Sequence, residues 1–201
     1  MIDKNRLLAV TDGIIAIAAT IMVLQLTIPE EVSFIAFAHQ WPVLVAYIIS
    51  YAHIFLAWHE HHDSMANAEV INHRIFLINC LWLFFVTLIP FVTGVIGHAP
   101  NHTPSVLLYI AVLLAEQLTI TWESVSVVKL NKTVVLDGPV IRKIRIVSIA
   151  GYAVAAIVAC IYAIAGLIAT LIVSIINVVL ICEYDRHIAA KVEQMMEERA
   201  E

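Results

Sequence analysis

Long apolar stretches separated by short polar connections run along most of the chain. About 20 apolar residues are enough for a helix to cross a hydrocarbon core about 30 Å thick. The last apolar stretch, residues 146–182, would be about 55 Å long as one helix at about 1.5 Å per residue. It therefore has to fold back, and Gly166 in the segment IYAIAGLIA is the predicted turn.

The pattern predicts six membrane-spanning helices in a single domain that covers residues 1–201. The spans are predicted at about 7–28, 34–58, 75–97, 105–128, 146–164 and 167–184. Pro42 is expected at the start, or at a kink, of the second span. The chain is 62% hydrophobic and only 13% charged, whereas soluble domains carry roughly 25% charged residues. The predicted fold class is thus all-α integral membrane protein, in contact with membrane lipids.

The positive charges indicate an orientation. All eleven lysines and arginines fall before the first span, in the connections after the second and fourth spans, or after the sixth. The three opposite connections contain none. Because cytoplasmic loops are enriched in basic residues, both termini are predicted to be cytoplasmic in a multi-pass protein of the cell membrane.

Branched aliphatic side chains share one face of the first span. With 100° per residue, Ile17, Ile21, Leu24 and Ile28 fall within about 60° of one another, and Thr20 lies at the edge. This stripe has two interpretations from the residues alone. It is either an ordinary lipid-facing or packing surface, or the lining of a pore in which aliphatic rings from several subunits narrow an ion path.

Charged residues flank the stripe at both ends. Asp12 lies about 140° from Ile17 around the helix, so we expect it to point into the subunit and to find partners on other spans. Arg6, six residues earlier, is too far along the axis to pair well with it. Glu30 and Glu31 follow the first span directly, and in an oligomeric pore they would surround the mouth with carboxylates that concentrate cations.

Histidines near the end of the second span and glutamates within the fourth span support a metal or proton site as an alternative to a pore. His59 and His62 stand at i, i+3, a spacing that can bind zinc on one helix face, although two ligands on one helix are a weak signal. Glu116 and Glu123 share a face of the fourth span, and Glu116 has to be protonated, paired or in contact with water. Gln117 or Asn177 is its expected partner.

Three segments resemble one known family. RLLAVTDGIIAIAATIMVLQLTIP resembles the R-x-x-x-F-S-D signature and first helix of the transmembrane protein 175 family of potassium channels. SYAHIFLAWHEHH is similar to that family's Trp-x-x-His-His end of span two, and INHRIFLINCLWLFFVTLIPFVTGVIGH to its third span. One signature copy and six spans resemble the prokaryotic branch, which implies a homotetramer whose first helices line a central pore.

The resemblance also implies roles for single positions. It places the main aliphatic constriction at Ile17, the polar selectivity position at Thr20, and further pore-lining positions at Ile21 and Leu24. Since these positions coincide with the stripe, and Ile28 extends it, the pore becomes the preferred interpretation.

The signature implies a hydrogen-bonded network behind the pore helix. Val10 replaces the signature phenylalanine, and Thr11 replaces its serine while keeping a hydroxyl group. Asp12 is then a structural residue and not an ion ligand. The implied network consists of Arg6, Thr11 and Asp12, with Trp58, His61 and Asn79 as candidate partners.

These observations predict a potassium-permeable cation channel that is not an enzyme, with no metal site, no cofactor and no nucleic-acid partner. Potassium and similar monovalent cations are the expected permeant ions. No TVGYG-like filter is present in the sequence, so we expect only a modest preference for potassium over sodium. The alternatives are a proton- or metal-coupled secondary transporter using Glu116, Glu123 or the His59–His62 cluster, an intramembrane enzyme, and an assembly subunit.

Overall fold

The described part of the chain is built from α-helices. The computed structural model describes residues 3–26, 28–29, 32–66, 68–131 and 139–200. Its helices are α1 (Lys4–Ile21), α2 (Phe34–His39), α3 (Trp41–Ala66), α4 (His73–His98), α5 (Thr103–Asn131), α6 (Pro139–Ile161) and α7 (Ala163–Ala200). A 3₁₀ turn, Met22–Gln25, extends α1.

Six of these helices are long and apolar enough to cross a membrane, and only the short α2 is not. The candidate spans are Lys4–Gln25, Trp41–Ala66, His73–His98, Thr103–Asn131, Ile141–Ile161 and Ala163–Tyr184. The predicted fold class, an all-α membrane protein with six spans, is confirmed.

Polar side chains mark where three of the helices begin. Asp3 accepts hydrogen bonds from the backbone N–H groups of Asn5 and Arg6 at the start of α1. Ser33 and Asn72 cap α2 and α4 in the same way. Short side chains with an oxygen acceptor are preferred at this position because the first N–H groups of a helix have no partner within it.

Two predicted boundaries are wrong. The regular helix of the first span ends at Gln25, because Leu26 adopts an extended conformation (φ −80°, ψ 99°), so Ile28 lies beyond it. The second predicted span is divided into α2 and α3. Pro42 is the second residue of α3, where its missing N–H group costs no hydrogen bond. The helix α3 then continues to Ala66, and it includes the histidine-rich segment at the end of the second span, as the i, i+3 spacing of His59 and His62 required.

The turn between the last two spans also differs from the prediction. It falls at Tyr162, and Gly166 lies in the first turns of α7. A Cβ atom at Gly166 would lie 2.4 Å from Ala159 Cβ and 2.7 Å from Ala159 Cα. The glycine therefore serves close approach of α6 and α7, as small residues do between membrane helices.

The buried core lies mainly between α3, α4 and α5, and its largest fully buried side chains include Trp82 and Tyr109. The helices α6 and α7 pack against each other and against α5 and α3. On the other side, α1 packs on α4 and α3 through Leu7, Ile15 and Met22, which recur at helical spacing. The opposite face of α1 is not covered by any of the residues that the structure describes.

Replacing Gly166 with alanine tests the close approach of α6 and α7. The new methyl group has to displace the backbone of Ala159, so we expect Gly166→Ala to destabilise the subunit by about 1–3 kcal/mol. Gly13→Ala is the matched control, because a Cβ at Gly13 meets nothing within 4 Å. Thermal unfolding in detergent measures both variants, and equal stability of Gly166→Ala and wild type would contradict the prediction.

Candidate ion pathway and signature network

The outer face of α1 is aliphatic and open. Ile17, Ile21 and Leu24 are 59%, 45% and 73% exposed, whereas Ile15 and Met22 on the inner face are buried. An exposed aliphatic face is compatible with lipid or with the α1 helices of neighbouring subunits. In the second case these side chains would form apolar rings around an axis.

Thr20 adds a polar atom to this face. Its side chain is exposed, and its hydroxyl group donates a hydrogen bond to the carbonyl oxygen of Ile17 at 2.9 Å. Because the proton is used within the helix, the lone pairs of the hydroxyl oxygen remain available to a water molecule or a cation.

The end of the first span is held against α4. The Gln25 side chain occupies the space next to Gly94, where a Cβ atom would lie 2.1 Å from Gln25 Oε1. Ile28, beyond the helical part, is 85% exposed. Glu30 and Glu31, the predicted pore mouth, lie outside the described residues.

Two adjacent signature residues tie α1 to different helices. Trp58 Nε1 of α3 donates to Asp12 Oδ1 at 2.8 Å. Thr11 Oγ1 donates to Asn79 Oδ1 of α4 at 3.3 Å, and both of these residues are fully buried. The prediction that Asp12 has a partner on another span is confirmed by Trp58, but Asp12 is exposed and does not lie in the subunit interior. The inward position belongs to Thr11, one step of about 100° away.

The other two predicted network members lie apart from these bonds. Arg6 is exposed on the first turns of α1. His61 is buried: its Nδ1 lies 3.3 Å from Glu123 Oε2, and its ring stacks on Trp82 with centroids 4.8 Å apart. The structure thus brings four of the six predicted residues together as two pairs, and it does not join all six in one cluster.

A buried polar centre surrounds Glu116, and the sequence did not predict its members. Glu116 Oε2 lies 2.5 Å from His53 Nε2, and Glu116 Oε1 accepts a hydrogen bond from Trp82 Nε1. The prediction that Gln117 or Asn177 pairs with Glu116 is wrong. Gln117 is the next residue on the same helix, and Asn177 accepts from Ser148. His53, a histidine within the apolar run of α3, was the feature of the sequence that could have indicated this site.

Another polar group lies near the end of α3. Arg145 Nε donates to Glu60 Oε1 at 2.8 Å, and His59 Nδ1 lies 3.4 Å from Asp63 Oδ2 at the i, i+4 spacing. Within the described ranges, no group of three or more histidine, cysteine, aspartate or glutamate side chains is arranged to hold a metal ion.

Comparison with known proteins points to one family. Residues 6–90, which include most of α1, all of α2 and α3 and most of α4, match the family described as endosomal/lysosomal potassium channel TMEM175. A potassium channel of Chryseobacterium sp. strain P1-3 is 37% identical over 94 residues, 47% of this chain and 49% of its own length. A potassium channel of Chamaesiphon minutus is 31% identical over 106 residues, 50% of this chain and 52% of its own length.

The matches in sequence cover about half the length of these curated relatives. The likeness in structure is broader. The crystal structure of a lysosomal potassium-selective channel TMEM175 homolog from Chamaesiphon minutus superposes with a TM-score of 0.76. The superposition covers 88% of this chain and 96% of the homolog's chain at 22% sequence identity, which shows a shared fold.

Removal of the Thr11 hydroxyl group tests its bond to Asn79. Thr11→Val keeps the shape of the side chain but leaves the Asn79 carbonyl oxygen buried without this donor, which costs about 1–3 kcal/mol. Thr11→Ser keeps the hydroxyl group and is expected to retain most of the stability. Thermal unfolding in detergent compares the two, and equal losses would show that the hydroxyl bond is not what matters at this position.

Proposed function

We propose that the chain belongs to the TMEM175 family, in its prokaryotic branch, and that it is a potassium-permeable cation channel of the cell membrane. The observation that carries the proposal is the open face of α1 with Ile17, Ile21 and Leu24. It stands within the stretch that matches the family, and both bacterial relatives cited above are named potassium channels.

Four subunits are proposed to surround the ion path, each contributing α1. In this homotetramer the aliphatic side chains of Ile17 form the main constriction, and those of Ile21 and Leu24 continue it. Rings of this kind hinder ions by removing their water shell. Ile28, Glu30 and Glu31 are proposed to surround the mouth, with the carboxylates raising the local cation concentration. Both termini are then cytoplasmic.

Selectivity is proposed to arise at Thr20. Four hydroxyl oxygens, whose protons are already donated to Ile17 carbonyl oxygens, present lone pairs to a cation that has lost part of its water. Such a ring has few ligands compared with a stack of backbone carbonyl rings, so the preference for potassium over sodium is modest.

The signature residues are proposed to hold α1 in place while its outer face contacts ions and water. Support comes from the bonds of Asp12 to Trp58 and of Thr11 to Asn79, which fix the rotation of α1 about its axis. Arg6, exposed on the subunit, is proposed to contact a neighbouring subunit.

A proton-coupled secondary transporter is the second candidate function. The observation in its favour is the fully buried Glu116, which contacts His53 and Trp82. Buried carboxylates of this kind are used in proton relays of transporters.

The channel proposal predicts the behaviour of Ile17→Asn in liposomes. A polar amide at the constriction removes the apolar barrier, so potassium flux should rise by about tenfold or more, since about 1.4 kcal/mol of barrier is a factor of ten. The preference for potassium, measured as the reversal potential with potassium on one side and sodium on the other, should weaken. Ile157→Asn on α6, where the isoleucine is 65% exposed, is the control for a polar residue on a lipid-facing surface.

Three outcomes would contradict the channel proposal. Unchanged flux in Ile17→Asn places the path elsewhere than the outer face of α1. A strong sodium preference of the wild type contradicts the proposed role of Thr20. Uptake driven by a pH gradient and abolished by Glu116→Gln, without passive potassium flux, supports the transporter.

A further inference from the structure

The contacts of Glu116 define a closed polar centre between four helices. His53 on α3 is 3% exposed, and Glu116 on α5 is fully buried. Their facing atoms, His53 Nε2 and Glu116 Oε2, are 2.5 Å apart. Trp82 of α4 lies on the far side of the carboxylate, and Tyr152 Oη of α6 lies 3.0 Å from His53 Nδ1.

The chemistry of the donors restricts where protons lie. An indole N–H group can only donate, so Glu116 Oε1 has to accept from Trp82 and cannot carry a proton directed at it. The protons of the pair are therefore located between Glu116 Oε2 and His53 Nε2, or on His53 Nδ1. At the other ring nitrogen, the Tyr152 hydroxyl group can either donate or accept, and Ser174 Oγ of α7 lies 3.5 Å from it.

Counting protons on the carboxyl group and the imidazole ring leaves two allowed states. With one proton, His53 Nε2–H donates to an ionised Glu116, Nδ1 accepts from Tyr152, and the pair has charge −1. With two protons, Nδ1–H donates to Tyr152, the other proton is shared between Oε2 and Nε2, and the pair is neutral. Three protons would place two hydrogens between atoms 2.5 Å apart, which is excluded sterically.

The surroundings favour the neutral state. Among the described side chains, no lysine or arginine forms an ion pair with Glu116. Farther along α3, Glu60 is bonded to Arg145 of α6. Two further titratable groups of α5 face this region. Tyr109 is bonded to Ser50, and Glu123 lies 3.3 Å from His61 of α3, whose ring stacks on Trp82. The helix α7 contributes the uncharged Ser174. A buried negative charge without a cation is strongly unfavourable compared with a neutral pair.

We propose that each subunit binds one proton in its core, shared between His53 and Glu116, and that the site is occupied at neutral pH. The site lies behind α1, separate from its open face, so it is a proton site additional to any ion path along that face. Proton binding also reverses a hydrogen bond: Tyr152 donates towards α3 when the site is empty and towards Ser174 of α7 when it is filled.

The dependence of stability on pH tests this site independently of ion conduction. Above pH 7 an unfolded chain has an ionised glutamate and a neutral histidine, so the folded subunit holds one proton more at this pair. Its unfolding equilibrium constant should then rise about tenfold per pH unit from this pair alone, because stability falls with pH where the folded state binds more protons. Thermal unfolding in detergent between pH 7 and pH 9 gives the slope.

Glu116→Gln is the decisive variant. Glutamine accepts from Trp82 with its oxygen and donates to His53 Nε2 with its amide, so it reproduces the filled site without a titrating proton. The unfolding equilibrium constant of this variant should depend less on pH than that of the wild type. The expected difference is a factor of about ten per pH unit, which corresponds to one proton. Asp63→Asn is the matched control: its partner His59 forms a similar but partly exposed pair, and the wild-type slope should remain.

If the stability of Glu116→Gln depends on pH as steeply as that of the wild type, the proposal is overturned. If that variant does not fold, Glu123→Gln replaces it. In Glu123→Gln, the pair of His53 with Glu116 is the remaining buried histidine–carboxylate pair among the described residues. Release of one proton per subunit on unfolding at pH 8, followed with a pH indicator, would support the site, and release of none would overturn it.

Discussion

A hydrocarbon environment offers no hydrogen-bond partner, and this constraint organises the subunit. Polar side chains within the spans have to pair with one another. Ser50 of α3 bonds to Thr93 of α4 at 2.7 Å and to Tyr109 of α5 at 2.9 Å. Glu116 of α5 and His53 of α3 pair with each other in the same way, farther along these helices. The helices α3, α4 and α5 thus form a polar and aromatic centre inside an apolar bundle.

The helix α1 depends on this centre but lies at its edge. It is attached through Thr11 to Asn79 and through Asp12 to Trp58. Asn79 stands one helical turn before Trp82, which contacts Glu116. The same helix α4 therefore contacts both the buried carboxylate and the inner face of α1. A helix held in this way can keep a fixed orientation while its outer face contacts ions, water or a neighbouring subunit.

The sequence predicted those features that depend on local pattern. Six spans follow from the lengths of the apolar stretches, and the open face of α1 follows from the spacing of Ile17, Ile21 and Leu24. Features that depend on packing between distant helices were not predictable. Gly166 was expected to form a turn, but it permits contact with Ala159. The partner of Glu116 lies 63 residues away, a distance that no periodicity encodes.

The central claim, that the outer face of α1 lines the ion path, is tested most directly by chemical access. Single cysteines at positions 17, 20, 21 and 24, introduced after removal of the three exposed native cysteines, are treated with a charged, water-soluble thiol reagent during potassium flux. A cysteine at position 157 of α6 is the lipid-facing control. The account predicts that modification blocks flux at the α1 positions and not at position 157. Flux that continues unchanged after modification of every α1 position would contradict it.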